Sequence, residues 1–293
     1  MDAFQITKER GGRWFGSSGT LACPVCQSEG RRDQRSLSIR DGDSRLIMYC
    51  HKSGCDGLSL LNALGVIDSD YEPPSEIVVQ QRKQEAEATE QRKAAYALEL
   101  WKESRPVHGS LAEVYLRERG ITAALPDTLR FHPALKHGPS GQAFPAMIAA
   151  VSKRNGFAIH RTFLRPDGLA KADASPAKMM LGSVQGGSVV LQQARPSAPL
   201  VVCEGIESAL SLMSLLIEEA TVVATLSTSG MMSLELSEKP GFLLLAGDND
   251  AAGIAAMAKL KERALLKGWQ VSAAVPSAGD WNDELLSRKG VAA

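Results

Sequence analysis

The sequence predicts an α/β protein in which a small cysteine-bearing hairpin module precedes a C-terminal parallel sheet, and three observations carry that prediction. Four of the five cysteines fall early, as Cys23-Pro24-Val25-Cys26 and Cys50-His51-Lys52-Ser53-Gly54-Cys55, on either side of two strand-like runs. Buried-strand runs at 198–203, 221–225, 241–246 and 271–275 alternate with helical runs at 207–219, 231–236 and 251–267. That alternation is the pattern of a doubly wound parallel sheet. Acidic residues stand where the strands should end: Glu204, then Asp248 and Asp250, then Asp280.

The chain is 293 residues long, enough for two or three domains. Its apolar runs are too short for a membrane span and its first residues lack a basic-then-apolar leader, so a cytoplasmic protein with no membrane partner is expected. Lysine plus arginine equals aspartate plus glutamate at 33 each, but the charges are segregated. Residues 105–196 carry 12 basic and 5 acidic residues, whereas residues 197–293 carry 7 basic and 12 acidic. A basic surface beside an acidic site suits a polyanion held by its phosphates while one phosphate reacts.

Residues 1–66 read as the first module. Ser36–Arg40 and Arg45–Tyr49 alternate as two strands turning at Asp41-Gly42-Asp43. A cysteine pair at each end of such a hairpin makes a zinc ribbon. Two close pairs on tight turns supply the four soft ligands of tetrahedral Zn²⁺: Cys23, Cys26, Cys50 and Cys55, with His51 as an alternative to one of the second pair. A disulfide framework is the competing reading, but it belongs to secreted chains. Cys203 lies in a buried strand and reads as an apolar core residue.

Residues 67–107 form a charged connection. Asp68 to Pro74 read as a linker and residues 75–103 as one helix, solvated over its first half and docked at its end through Ala94, Ala95, Leu98 and Trp101. Residues 108–196 are the basic subdomain. Ser110 and Glu113 form a capping box for a helix stopped by Gly120, and strands follow at 128–131, 146–151 and 157–164.

Residues 197–293 carry the acidic edge. Carboxylates gathered at one edge of a sheet repel one another, a cost tolerated where a hard cation neutralises them. The residues therefore predict a metal-dependent phosphoryl-transfer site. Lys171, Lys178 and Arg161, in the basic region just before the acidic core, are candidate phosphate contacts. His160 reads as a satisfied structural histidine. Asn249 suits the turn between two aspartates, and Gly253 lets the next helix begin close to the site.

Val-Val-Cys-Glu204-Gly205-Ile-Glu-Ser-Ala-Leu followed by Asp248-Asn249-Asp250-Ala-Ala-Gly253 resembles the Toprim domain shared by DnaG-type primases, topoisomerases and some nucleases. Ala224 to Thr228, Ser175-Pro176-Ala177-Lys178, and the segments 110–120 and 159–164 resemble primase-like Toprim proteins of phages and plasmids. The resemblance implies a primase making short RNA primers on single-stranded DNA for a mobile element, with ribonucleoside triphosphates as substrates and a separately encoded replicative helicase as partner. It implies Mg²⁺ or Mn²⁺ on Asp248, Asp250 and Asp280, with Glu204 as a further ligand or a general acid/base, and it leaves Asp283 in doubt because its spacing departs from the family's. It would make Lys171, Lys178 and Arg161 contacts to a triphosphate or a template backbone. The zinc ribbon would bind template through Arg31, Arg32, Arg35 and Arg40, with Tyr49 as a stacking surface. A Toprim nuclease and a non-catalytic, zinc-dependent nucleic-acid-binding protein are the alternative readings.

Overall fold

The computed structural model describes residues 1–27, 35–66, 71–215 and 219–290. Arg31, Arg32, Asp68 and the end of the helix expected at 207–219 fall wholly or partly outside the described residues. The chain divides into two compact units, Met1–Glu90 and Gln91–Ala293. No helix among the described residues is long and apolar enough to cross a membrane.

In the first unit, helix α1 (Ala3–Glu9) opens on Asp2, whose carboxylate accepts from Gln5 N–H while the Gln5 side chain accepts from Asp2 N–H. Four strands follow: β1 (Arg13–Trp14), β2 (Gly19–Leu21), β3 (Leu37–Asp41) and β4 (Leu46–Cys50). They pair antiparallel in sequence order. Alternation puts Leu37, Ile39, Leu46 and Cys50 into a small core with Ile6 and Leu21, and turns Arg40, Ile47 and Tyr49 outward. Helix α2 (Gly57–Leu64) is capped by Asp56 and covers the same core through Leu60 and Leu64.

Helix α3 (Glu76–Glu103) runs through the boundary between the units. Its first half is not simply solvated. The Arg82 guanidinium bonds the Asp2 carboxylate at 2.8 Å and lies 4.3 Å from the Phe4 ring centroid. An arginine of this kind ties down a helix that has few apolar residues. The docked face of the last turns is also rotated from expectation. Ala97 and Leu100 are buried while Leu98 points outward, because the contact follows the 97–100–104 row of the helix.

The second unit holds two five-stranded sheets. The first contains β5 (Arg105–Pro106), β6 (Leu129–Lys136), β7 (Ala143–Val151), β8 (Ala158–Phe163) and β9 (Lys178–Leu181), paired antiparallel in sequence order. The β6–β7 register shifts between His132 and Leu135, where Pro133 has no N–H to give the ladder. Helix α4 (Leu111–Glu118) starts on Ser110, whose hydroxyl accepts from Ala112 and Glu113 N–H. The expected capping box is incomplete, since Glu113 reaches one residue further back and accepts from Gly109 N–H at 2.8 Å.

The second sheet has the order β10-β12-β11-β13-β14. Its strands are β10 (Val189–Gln192), β11 (Leu200–Cys203), β12 (Thr221–Ala224), β13 (Phe242–Ala246) and β14 (Gln270–Ala274). The last four pair in parallel, and β10 adds an antiparallel edge. Side chains alternate into two cores. One face takes Val201 and Cys203 against α5 (Ile206–Leu215) and α8 (Trp281–Arg288); the other takes Val202, Leu243 and Leu245 against α6 (Thr228–Ser233) and α7 (Ala251–Leu266). The first core continues into the basic subdomain through Tyr115, Leu116, Leu129 and Met147, so one face of the parallel sheet and the basic subdomain share an interior.

Helix α6 depends on a close approach. A Cβ on Gly230 would stand 2.0 Å from the Thr225 carbonyl oxygen. Gly230→Ala is therefore expected to cost at least about 1–3 kcal/mol in urea unfolding, with loss of the second unit's transition rather than the first's.

Candidate active site and metal centre

Within the first unit, the Sγ atoms of Cys23, Cys26, Cys50 and Cys55 all lie within 4.8 Å of one another. Cys23–Cys55 and Cys26–Cys50 are separated by 3.8 and 3.6 Å, close to the roughly 3.8 Å edge of a tetrahedron with Zn–S bonds of about 2.3 Å. The four sulfurs thus fit a tetrahedral thiophilic ion. Although burial opposes ionisation, backbone N–H groups of Ser53, Cys55 and Lys52 bring Cys50 down to about 5, while burial and the neighbouring sulfurs push Cys55 up to about 12 and burial raises Cys23, so the four thiols without a cation share little negative charge beyond that on Cys50. His51 is not part of the cluster. Its Nε2 lies 2.9 Å from Ser38 Oγ and its ring packs edge-on against Tyr49, outside on the hairpin face.

The acidic edge of the second unit follows from strand register. Cys203 of β11 lies level with Ala224 of β12 and Ala246 of β13, and Ala246 with Ala274 of β14. Glu204, Asp248 and the loop ending at Asp280 therefore leave the sheet at the same side. They line one cleft of about 120 Å³ with Arg119, Lys171, Lys178, Glu207 and Ser208. Asn249 holds two of the loops together, its N–H donating to Gly279 O at 2.8 Å and its amide to Pro276 O at 3.1 Å. Ser208 Oγ donates to Asp248 Oδ1 at 3.2 Å.

These carboxylates perturb one another. Burial, then the charges of Asp280 and Asp250, push Asp248 up from the ordinary carboxylate range. Burial, then Asp248 and Asp250, do the same to Glu204. Hard oxygen donors crowded by like charge, with no lysine or arginine paired to them among the described residues, fit a divalent cation. Among those residues only the four cysteines bring three or more ligand atoms within 4.8 Å of one another, so the carboxylates surround the cleft more loosely.

Asp250 stands apart. It is exposed and caps α7, accepting from Gly253 N–H at 2.7 Å. Gly253 is required there because a Cβ would meet the Asp248 carbonyl at 2.6 Å. Asp280 likewise caps α8, and Asp283 returns the bond to Asp280 N–H in a capping box, which accounts for its position outside the cleft. Leu226, with φ 72, is the one non-glycine among the described residues in the left-handed region. Its N–H donates to Glu204 O at 2.7 Å, so backbone strain sits beside the carboxylate.

The opposite side of the cleft is basic. Lys178 Nζ lies 3.0 Å from Glu207 Oε2, and Lys171 Nζ 3.7 Å from Glu207 Oε1. Tyr115 Oη donates to Glu207 Oε1 at 2.8 Å. Burial disfavours the Glu207 carboxylate, yet Lys178 and Lys171 hold it well below the usual range. Arg161 does not join them. Strand alternation on β8 turns it to the other face, where it is buried and donates to Met180 O at 2.9 Å. His160 faces the lysines but is buried, lacks a partner at Nδ1 and is pushed down to about 4 by that burial. It is neutral, neither satisfied nor open to nucleic acid.

The residues that sequence reasoning missed are Arg119, Glu207, Tyr115 and Asn282. Asn282 Nδ2 donates to Arg119 O at 2.7 Å and to Ser211 Oγ at 3.0 Å, tying α4, α5 and α8 together. Glu207 had one legible signal, its position three residues after Glu204 on the helix that opens at the sheet edge.

Residues 199–290 match the family model of the Toprim domain. Residues 91–191 match a family described as Domain of unknown function (DUF7146). The C-terminal parallel sheet with its flanking helices is thus a Toprim domain, and it follows a four-cysteine module, a helical segment and a basic α+β subdomain. A search of curated proteins found no match. Solved structures similar to the chain include a DNA primase domain from Pseudomonas aeruginosa, at 16% identity and TM-score 0.43, covering 67% of this chain and 75% of that one. The Aquifex aeolicus primase, comprising zinc-binding and RNA polymerase domains, aligns at 15% identity and TM-score 0.41 over 99% of this chain and 80% of that one. The RNA polymerase domain of Mycobacterium tuberculosis primase DnaG aligns at 15% identity and TM-score 0.37 over 70% and 82%.

Two outcomes are expected. Cys55→Ser should abolish a near-stoichiometric zinc signal in elemental analysis of the purified chain, and a strong chelator should lower the melting temperature of the first unit. Because the folded state disfavours the Asp248 carboxylate, it penalises folding above the ordinary carboxylate range, and the penalty is relieved as pH falls through the raised value. Asp248→Asn should therefore raise the melting temperature at neutral pH in EDTA, and the gain should shrink in acid.

Proposed function

We propose that the chain is a primase-type nucleotidyltransferase that joins ribonucleoside triphosphates into short RNA primers on single-stranded DNA, in the service of a mobile element. The observation that carries this reading is the cleft in which Glu204, Asp248 and Asp280 of the Toprim domain meet Lys171, Lys178 and Arg119 of the preceding subdomain. An acidic edge suited to a cation and a basic edge suited to phosphates are the two requirements of phosphoryl transfer, where positioning and charge stabilisation do most of the work.

Glu204, Asp248 and Asp280, with Asp250 beside the cleft, are the donors for Mg²⁺ or Mn²⁺, which when bound acidifies an attacking hydroxyl and neutralises phosphate charge. Lys171 and Lys178 offer ammonium groups that are about a third exposed, at 35% and 39%, and these would hold the polyphosphate. Arg119 takes the role expected of Arg161, since it lines the cleft and Arg161 does not. Glu204, raised above the ordinary range by burial and by Asp248 and Asp250, is suited either to a cation or to moving a proton.

Template binding falls to the first unit, whose four cysteines would hold structural zinc. Tyr49 is 61% exposed and braced by His51, with Arg40 on the same hairpin face and Arg35 at its base, which gives a base a ring to stack on and phosphates a cation to meet. A replicative helicase encoded separately would supply single-stranded template.

The full-length protein, incubated with single-stranded DNA, labelled ribonucleotides and Mg²⁺, should yield short RNA. Asp248→Ala should reduce the yield by at least about a hundredfold without changing zinc content. Shortened DNA instead of RNA would identify a Toprim nuclease, and a mobility shift without product would identify a non-catalytic binding protein.

A further inference from the structure

A cleft with three carboxylates on one side and two ammonium groups on the other is unstable as an open site. Flexible lysines reach across such a gap and pair with the carboxylates, which neutralises both halves. In this protein they do not. Among the described residues Glu204, Asp248 and Asp280 form no ion pair with a lysine or arginine, and Lys178 acts on Glu204 and Asp248 only as a more distant charge, whereas Lys171 and Lys178 are both paired to Glu207. Glu207 is 4% exposed, lies on the first turn of α5, and is fixed from the far side by the Tyr115 hydroxyl. Tyr115 is itself a buried member of the core shared by the two subdomains, so the carboxylate cannot follow the lysines if they move.

We propose that Glu207 is the positioning residue of this cleft: its buried carboxylate retains Lys171 and Lys178 on the basic side, leaving the carboxylates to a cation and the ammonium groups to a polyphosphate. The inference rests on the phosphoryl-transfer reading of the same site. It assigns Glu207 no contact with substrate. The two hydrogen bonds to Glu207 come from α4 and from β9, and the ion pair with Lys171 comes from the loop between β8 and β9, so a single buried anion faces both lysine side chains. Burying a carboxylate at this cost is otherwise unexplained, since a Leu would fill the space without desolvating a charge.

The proposal separates from a simple field effect by sign. If Glu207 acted only as a negative charge near the phosphates, removing it would tighten anion binding. If it positions the lysines, removing it weakens anion binding despite the more positive field. The test is isothermal titration of the full chain with inorganic tripolyphosphate in EDTA, so that neither metal nor turnover is involved. Glu207→Gln is expected to bind roughly tenfold more weakly than the parent. Glu207→Asp, which keeps the charge and withdraws it by one methylene, should also bind more weakly. Equal or tighter binding by Glu207→Gln overturns the proposal, as does a parent protein that binds no tripolyphosphate. Should Glu207→Gln fail to fold, Glu207→Asp decides the matter, with parent-like affinity overturning the proposal and weaker affinity supporting it. A purely structural role would lower the melting temperature of either variant and leave its affinity, measured well below that temperature, unchanged. Primer synthesis by the parent is a separate readout: its absence strikes the proposed function, whereas normal synthesis with unaltered binding by the variants strikes Glu207 alone.

Discussion

Parallel pairing of β11 with β13 is the interaction on which the second unit depends. Its register sets Cys203 level with Ala246 and so delivers Glu204 and Asp248 to one edge of the sheet, where their charges oppose one another. Much of the surrounding structure works against that repulsion. Ser208 donates to Asp248, Asn249 ties its loop to the one before α8, and Asp280 is committed to the N-terminus of α8, whose dipole favours an anion. Leu226 accepts a left-handed conformation where its N–H meets Glu204 O.

The basic subdomain and the Toprim sheet are one body for the same reason. Their shared core includes Tyr115 and Leu116 from α4 beside Val201, Cys203 and Leu210 from the parallel sheet and its first helix. Packing of this kind fixes the separation between acidic and basic sides of the cleft more firmly than any surface ion pair does, since exposed pairs contribute little. Arg119 gains its place through the same core, held by its carbonyl to Asn282.

The first unit follows the same logic with softer ligands. Its core is small, with Ile6, Leu21, Leu37, Ile39 and Leu60 as principal members, and the four thiols gather against it, all within 4.8 Å of one another. A module of this size ordinarily depends on a metal for its stability. In both units, side chains that repel or crowd one another are gathered where a cation would relieve them.

Local pattern made much of this readable from the chain alone. The spacing of Cys23, Cys26, Cys50 and Cys55 defines two knuckles around a hairpin, and the βα alternation after residue 197 defines a parallel sheet whose strands end at Glu204, Asp248 and the approach to Asp280, because each of these is a property of neighbouring residues. Which face a side chain takes, and what meets it there, is not local. Alternation on β8 turned Arg161 away and His160 inward, the row at 97, 100 and 104 rather than Leu98 became the docked face of α3, and Ser38 withdrew His51 from the cysteines. Arg119 reached the cleft, and Tyr115 came to hold Glu207 from behind it, only through tertiary packing, the Tyr115–Glu207 hydrogen bond joining residues about 90 positions apart. Sequence therefore determined the elements and the chemistry at their ends, while tertiary packing decided which charges share a cleft, since that depends on distances through space that no spacing along the chain encodes.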